Sequence, residues 1–386
     1  MASESACLLI ADITGYTSYL AGVEIDHAQD ILADLMGTIV SALRPGFRLA
    51  KLEGDAAFTF AIADRIDGSL LLDTIERCYF GFRRRRRDVR QATSCECNAC
   101  VRIPDLNLKF VVHHGAVLRQ RVAGRDELLG SDVIVVHRLL KDSVAEATGI
   151  EAYALFSQAC VEVMDVDVVA IGMQSISETY DHIGTVPAWV HDLERRWEEE
   201  ESRARVIVDA GAAIKEITIP TTAPSQVAWE YVTAPGRRVS WQLGVTGVET
   251  VATGNRSGVG ATNHCMHGEG ASVEELLDWR PYDYFTFRNT IPTPNGAIRM
   301  LETTEFEPTP DGTVVRLRFA APKSAKERAL MRQMESFLDQ AIQASGVLLA
   351  EQLEAELERR RLEGDGEPDL PTPRPDGPLA GISPAL

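Results

Sequence analysis

The chain has 386 residues, enough for two or three domains that each bury their own core. Its 39 lysines and arginines stand against 57 aspartates and glutamates, a formal charge of −18 that argues against a nucleic-acid backbone or an anionic lipid surface as the main partner. No apolar run reaches the roughly 20 residues that span a bilayer, and the short apolar stretch at 7–11 has no basic region before it, so the expectation is a cytoplasmic protein.

In chain order, residues 6–11 read as a buried strand, and 24–43 carry Ile25, Ala28, Ile31, Leu32, Leu35, Ile39 and Leu43 at helical spacing. Residues 47–52 and 56–61 read as strands around the turn Glu53-Gly54-Asp55. A helix over about 67–89 ends in the run Arg83 to Arg87, whose consecutive positions point all round a helix and read as a solvated face. An apolar strand at 106–113 follows, and the order β-α-β-β-α-β predicts a ferredoxin-like core, a sheet with helices on one face. The charged stretch around Trp197 to Glu201 predicts a helical linker over 191–212. Beyond it come a strand at 213–219, a short helix behind Pro224-Ser225, and six strands within 245–320 separated by Gly, Pro and Asp-Gly turns. A long helix from Ser324 to about Arg361 closes this region, and the Pro- and Gly-rich segment 363–386 predicts an extended, disordered tail. The expected class is α+β, with folded domains at 5–190 and 213–357.

Asp12-Ile13-Thr14-Gly15-Tyr16-Thr17 sits where the first strand runs into the first helix, and Lys51-Leu52-Glu53-Gly54-Asp55 sits at the hairpin turn. Asp12 and Asp55 therefore converge on one end of a sheet. A helix cap and a turn residue would account for either aspartate alone. As a pair they suit a hard divalent cation, magnesium or manganese, which takes one or two carboxylates together with phosphate oxygens.

These segments resemble the class III nucleotide cyclases, which include the adenylate and guanylate cyclases, over about residues 6–160. The family's D-I-x-G-[FY]-T and K-x-x-G-D segments match Asp12 and Asp55, which the resemblance implies are the metal ligands. It implies that Lys51 contacts the purine base and that Glu127 takes the second base-reading position. Phe110 to Gly115 looks like the family's strand ending in an [HN]-x-G turn. Gly130 to Arg138 is similar to the family's G-x-x-V-N-x-A-x-R segment; Arg138 takes the place of the catalytic arginine, and Ile134 replaces the asparagine with a side chain that neither donates nor accepts. The resemblance implies a homodimer that binds a purine nucleotide, ATP by the presence of Lys51, and forms cyclic nucleotide and pyrophosphate. Ile134 supports the alternative, a catalytically inactive ligand-binding or scaffold protein with a vestigial cyclase domain.

Three of the seven cysteines lie in Cys95-Glu96-Cys97-Asn98-Ala99-Cys100. Such a C-x-C-x-x-C spacing supplies three thiolates to zinc or an iron-sulfur cluster, with Cys78 as a possible fourth, or is a set of reduced loop thiols. The region 213–357 resembles the START-like, or SRPBCC, helix-grip domains through Ile217 to Pro220, Pro224 to Trp229, Trp241 and the closing helix. That resemblance implies a cavity for an apolar small molecule. Trp279, Tyr282, Tyr284, Phe285 and Phe287 would line such a cavity or fill a core.

Overall fold

The computed structural model describes residues 3–23, 25–44, 46–64, 66–92, 97–122, 125–268 and 270–363. The expected tail lies outside the described residues but for its first. The chain divides into two compact units, one running to Arg203 and one starting at Ala204.

The first unit is built from β1 (Glu4–Thr14), α1 (Tyr16–Leu20), α2 (Ile25–Leu43), β2 (Arg48–Glu53), β3 (Ala56–Ile62), α3 (Gly68–Ala92), α4 (Asn98–Val101), β4 (Asn107–Val122) and β5 (Arg125–Leu129). There follow α5 (Ser131–Leu139), α6 (Val144–Thr148), β6 (Tyr153–Ser157), α7 (Gln158–Val161), β7 (Gln174–Tyr180), β8 (Gly184–Asp192) and α8 (Leu193–Ser202). The sheet order is β2-β3-β1-β4-β6-β8-β7, with β5 paired to β4. Its first four strands have the ferredoxin-like arrangement, β1 lying antiparallel between β3 and β4.

Strand β1 is buried on both faces, which is why 6–11 is an unbroken apolar run. Cys7, Leu9, Ala11 and Ile13 pack with Leu35 and Ile39 of α2 and Ile75 and Tyr79 of α3. Ala6, Leu8 and Ile10 pack on the other side with Phe58, Val111, and Val136 and Leu139 of α5. Helices therefore cover both faces of the sheet, where the sequence predicted one. The second cover is short and interrupted, so its hydrophobic period is weak.

The stretch expected as a linker is divided between the units: 191–203 packs on the first, and the Val206 and Val208 N–H groups donate to Asp278 and Thr303 of the second. His191 is the last but one residue of β8, and Asp192 caps α8 by accepting the Arg195 N–H at 3.0 Å. Trp197 packs on Phe80 of α3 at 5.5 Å between ring centroids, and Glu76 of α3 accepts from His191 and Arg196 at 2.7 and 3.0 Å. The arginine run is likewise structural. Arg85 forms a two-pronged pair with Asp34 of α2, Arg83 binds Glu194, and Arg86 donates to the Leu106 carbonyl.

The second unit comprises β9 (Ala213–Thr221), α9 (Ser225–Thr233), α10 (Pro235–Trp241), β10 (Gly247–Val251), β11 (Thr262–His267), β12 (Gly270–Arg280), β13 (Tyr284–Thr293), β14 (Gly296–Thr309), β15 (Gly312–Ala320) and α11 (Ala325–Glu363). The strands form one antiparallel sheet in the order β10-β11-β12-β13-β14-β15-β9. Ser324 and Glu327 form a capping box at the start of α11: the Glu327 N–H donates to Ser324 Oγ at 3.1 Å, and Ser324 donates back to the Glu327 carboxylate. The long helix lies on the sheet face that bears Ile219, against which Gly346 packs closely. This is the helix-grip arrangement.

Candidate functional site

Strand register sets Glu53, Ala56, Asp12 and Lys109 in one row across β2, β3, β1 and β4. The neighbouring row is Lys51, Phe58, Ile10 and Val111. Residues opposite one another on paired strands project to the same face, here the face covered by α5. Asp55 belongs to the hairpin turn beside this row, and its carbonyl accepts the Ile13 N–H at 3.0 Å. Gly54 precedes it at φ 72°, a left-handed conformation that lets the chain reverse within two residues.

Burial and then the Asp55 charge push the Asp12 carboxyl up to about 6, while Lys109 opposes them. Asp142, a smaller contributor, is committed elsewhere: it accepts from Lys109 at 3.2 Å, from the Tyr153 hydroxyl at 2.6 Å and from the Val144 N–H at 3.0 Å. Asp12 and Asp55 thus form a pair of mutually repelling carboxylates at one sheet end. An oxygen-only donor set of this charge fits magnesium or manganese. Among the described residues, no three His, Cys, Asp or Glu side chains gather as a self-sufficient metal centre.

Lys51 is exposed on the same face, with its ammonium 3.6 Å from Glu53. Glu127, on β5, lies opposite Gln120 of β4, and β5 also approaches β2. Arg138 stands apart. With Ile134, one turn before it and 56% exposed, it lies on an exposed part of α5, lining with Val133, His137 and Lys141 an open groove of about 360 Å³.

Two contacts seat α5. Asp132 accepts the Ala116 N–H at 2.8 Å and lies 3.1 Å from His113 Nε2. His137 Nε2 lies 3.1 Å from Glu53 on the hairpin that carries Asp55. Gly115 belongs to the middle of β4, which runs on to Val122; the sequence predicted a turn there. The other nitrogen of His113 is 2.7 Å from Ser157 Oγ. A Ser157–His113–Asp132 row has the composition of a hydrolytic triad, but Ser157 is 1% exposed and caps α7 by accepting the Cys160 N–H, so no substrate reaches it. Residues 113, 132 and 157 share no motif spacing, which hid the row from sequence reading.

Cys95 lies outside the described residues. Cys97 takes the cap position of α4, and Cys100 belongs to the hydrophobic core. Cys78 faces α2, donating to the Ile39 carbonyl at 3.7 Å, and burial pushes its thiol well above the usual range, which opposes the thiolate a metal requires.

In the second unit the aromatics fill one end of the core. Trp229 is fully buried, with Trp279, Phe306, Phe285 and Tyr282 at centroid distances of 4.7 to 5.7 Å. Further along the sheet the interior turns polar. Arg238 holds Glu274 through two bonds of 2.7 and 2.8 Å, and Asn263 donates to the same carboxylate at 3.2 Å. Burial opposes that charge, but Arg238 keeps the Glu274 pKa below the usual carboxylate value. Glu302, which accepts from Asn289 at 3.1 Å, is pushed up to about 7 by burial and by the Glu274 charge. Nothing in the sequence pattern singled out this cluster, because its members are scattered over four strands and a helix.

The fold and these two sites define a protein that joins a ferredoxin-like unit bearing a carboxylate pair to a helix-grip unit. Residues 32–148 match the family described as "Protein of unknown function (DUF2652)", and residues 214–354 match "Polyketide cyclase / dehydrase and lipid transport". The chain belongs to the family of "Uncharacterized protein Rv2561/Rv2562" of Mycobacterium tuberculosis, to which it is 33% identical over 157 residues, 39% of this chain and 71% of that one. Among solved structures it is similar to the guanylyl cyclase Cya2, at 15% identity over 49% of this chain and 92% of the other, TM-score 0.38. The adenylyl cyclase CyaB from P. aeruginosa matches at 14% identity over 50% and 95%, TM-score 0.37. Protein MLL2253 from Mesorhizobium loti matches at 17% identity over 35% and 95%, TM-score 0.28.

Proposed function

We propose that this is a signalling protein whose first unit binds a purine nucleotide, ATP in preference, with magnesium or manganese, and whose second unit binds an apolar small molecule. The observation that carries the first part is the pairing of Asp12 with Asp55 at one end of the central sheet, close enough for one charge to act on the other. Asp12 and Asp55 would hold the metal, which supplies positive charge to the triphosphate. Lys51, exposed in the neighbouring row, and Glu127 would select the base. Arg138 would serve the nucleotide of a second copy, since it lines an open groove on an exposed part of α5; the active form is then a homodimer. Cyclisation would bond the ribose 3′-oxygen to the α-phosphorus and release pyrophosphate.

A second reading is favoured by Ile134. Its exposed apolar side chain stands one turn from Arg138, where a polar side chain would be needed to support the reacting nucleotide. On this reading the first unit binds nucleotide or serves as a scaffold without turnover. Incubating the protein with ATP or GTP and manganese, and assaying cyclic nucleotide and pyrophosphate, separates the two. Product that disappears in Asp55→Ala supports the enzyme; metal-dependent binding of labelled ATP without product supports the second reading; neither product nor binding removes the nucleotide altogether.

A further inference from the structure

The polar cluster of the second unit lies on the face of the sheet that the long helix covers. Ile219, Val315 and Phe306 form one row across β9, β15 and β14, and Gly346 of α11 packs on Ile219. Alternation along β14 puts Glu302 on the same face as Phe306. Glu302 in turn shares a row with Phe319 and Lys215, and Lys215 binds Asp339 in the middle of α11. Glu274 is paired directly with Asn289, and Asn289 with Met300, so these side chains share that face as well.

The helix does not seal this region. Its inward stripe is buried at Leu330 and again at Ser345, Leu349 and Leu353, whereas Met334, Leu338 and Ile342 between them are only half-buried. Over this middle stretch the helix is tied to the Glu302 row through Lys215 and Asp339, while its apolar side chains keep part of their surface accessible. Glu302 itself keeps accessible surface there, although its surroundings are dense enough to disfavour its charge.

Among the described residues, one fully buried side-chain atom of the cluster has no hydrogen-bond partner. Arg238, Glu274 and Asn263 satisfy one another, and Thr250 donates to Asn263 Oδ1 at 2.8 Å. Asn289 gives its N–H to Glu302, and its Oδ1, in a side chain 8% exposed, meets no donor. A buried amide oxygen with no donor inside the protein is completed by a molecule from outside it, a water or a ligand.

We propose that the second unit takes an amphipathic molecule whose apolar body lies along Met334, Leu338 and Ile342 and whose head, a hydroxyl or an amine, donates to Asn289 Oδ1 and the Glu302 carboxyl. The inference rests on the ligand-binding reading of this unit and narrows it to a head that donates. The Asn289 oxygen can only accept, so an ether or ester head of equal length leaves it unpaired. The Arg238–Glu274 pair is already saturated and serves as fixed polar backing.

The test titrates the full-length protein with 1-octanol, octylamine and methyl octyl ether, followed by calorimetry. At least one of the two donors should bind about tenfold more tightly than the ether, the worth of one buried hydrogen bond. Asn289→Leu and Glu302→Gln should shrink that ratio to below about threefold while the ether still binds, which also shows that the variants are folded. Equal binding of all three probes to the unaltered protein overturns the donor assignment and leaves an apolar cavity. Retention of the full ratio in Asn289→Leu overturns it too. Binding of none of the three overturns both this inference and the reading beneath it.

Discussion

Gly115 lies directly beneath the Asp132 carboxylate: a Cβ added at position 115 would sit 2.3 Å from Asp132 Cγ. The close approach lets Asp132 reach the Ala116 N–H and His113 from the first turn of α5, and so fixes the helix that carries Arg138. Burial outweighs Asp132 and lowers the His113 pKa, so the ring is neutral at pH 7 and bridges Ser157 and Asp132 by hydrogen bonds without a net charge. Gly115→Ala is expected to destabilise the first unit by about 1–3 kcal/mol through overpacking. Adding Asp132→Ala to it should relieve the clash, so that the double variant loses less than the sum of the two single ones. Urea denaturation of the four proteins in the cycle measures this, and strict additivity would refute the contact.

The Arg238–Glu274 pair in the second unit is buried, with both side chains about 5% exposed. Removing one partner strands the other's charge in the interior. Arg238→Met or Glu274→Gln should each cost about 3–5 kcal/mol, whereas replacing both with apolar side chains should restore most of the loss. The comparison distinguishes a mutually dependent pair from two residues that each pack independently, and denaturation of the single and double variants reads it directly.

Glu302 gives the second unit a distinct pH dependence. Its folded pKa of about 7 lies above the ordinary glutamate value because burial, and then the Glu274 charge, disfavour ionisation. An acid with a raised folded pKa binds its proton more tightly when folded. Stability is therefore greatest below the unfolded pKa near 4.5, falls as pH rises towards 7, and levels off above it. The full loss is up to about 3 kcal/mol at 1.36 kcal/mol per pKa unit. Glu302→Gln lacks this titration, so its stability relative to the unaltered protein should improve between pH 5 and pH 8. An unchanged difference at the two pH values would show that the group is solvated in the folded chain.

Sequence alone revealed what depends on local pattern. The β-α-β-β-α-β core, the meander of the second unit and the long closing helix emerged from apolar period and turn residues, and the Asp12 and Asp55 segments from their positions beside a strand end and a hairpin. What it missed depends on tertiary pairing. Strand β7 is a sheet edge, polar on nearly every residue, so it has no alternation to read. Strand β4 passes through Gly115, which looks like a turn until Asp132 is seen above it. Helix α8 is rich in glutamate and looks like a spacer, but Leu193 and Trp197 turn one face into the core. The Glu302–Asn289 cluster comes from four paired strands, and no separation along the chain signals it.

The placement of α8 can be tested by truncation. If the charged stretch were a spacer, cutting the chain after residue 190 or after Arg203 would yield equally stable first units. Instead β8 ends at Asp192, and α8 returns across α3, burying Leu193 and Trp197 and bringing Arg196 to the buried Glu76. Glu76 is 3% exposed and shared between Arg196 and His191, so deleting both removes two of the side chains that hydrogen-bond this buried carboxylate. The fragment 1–203 should therefore unfold cooperatively, and 1–190 should be unfolded or expanded at 25 °C. Within the intact chain, Trp197→Ala should cost about 3–5 kcal/mol, the range for a large aromatic removed from a core. Circular dichroism and urea titration of the two fragments decide the matter, and equal stability of the two would return residues 191–203 to the role of a linker.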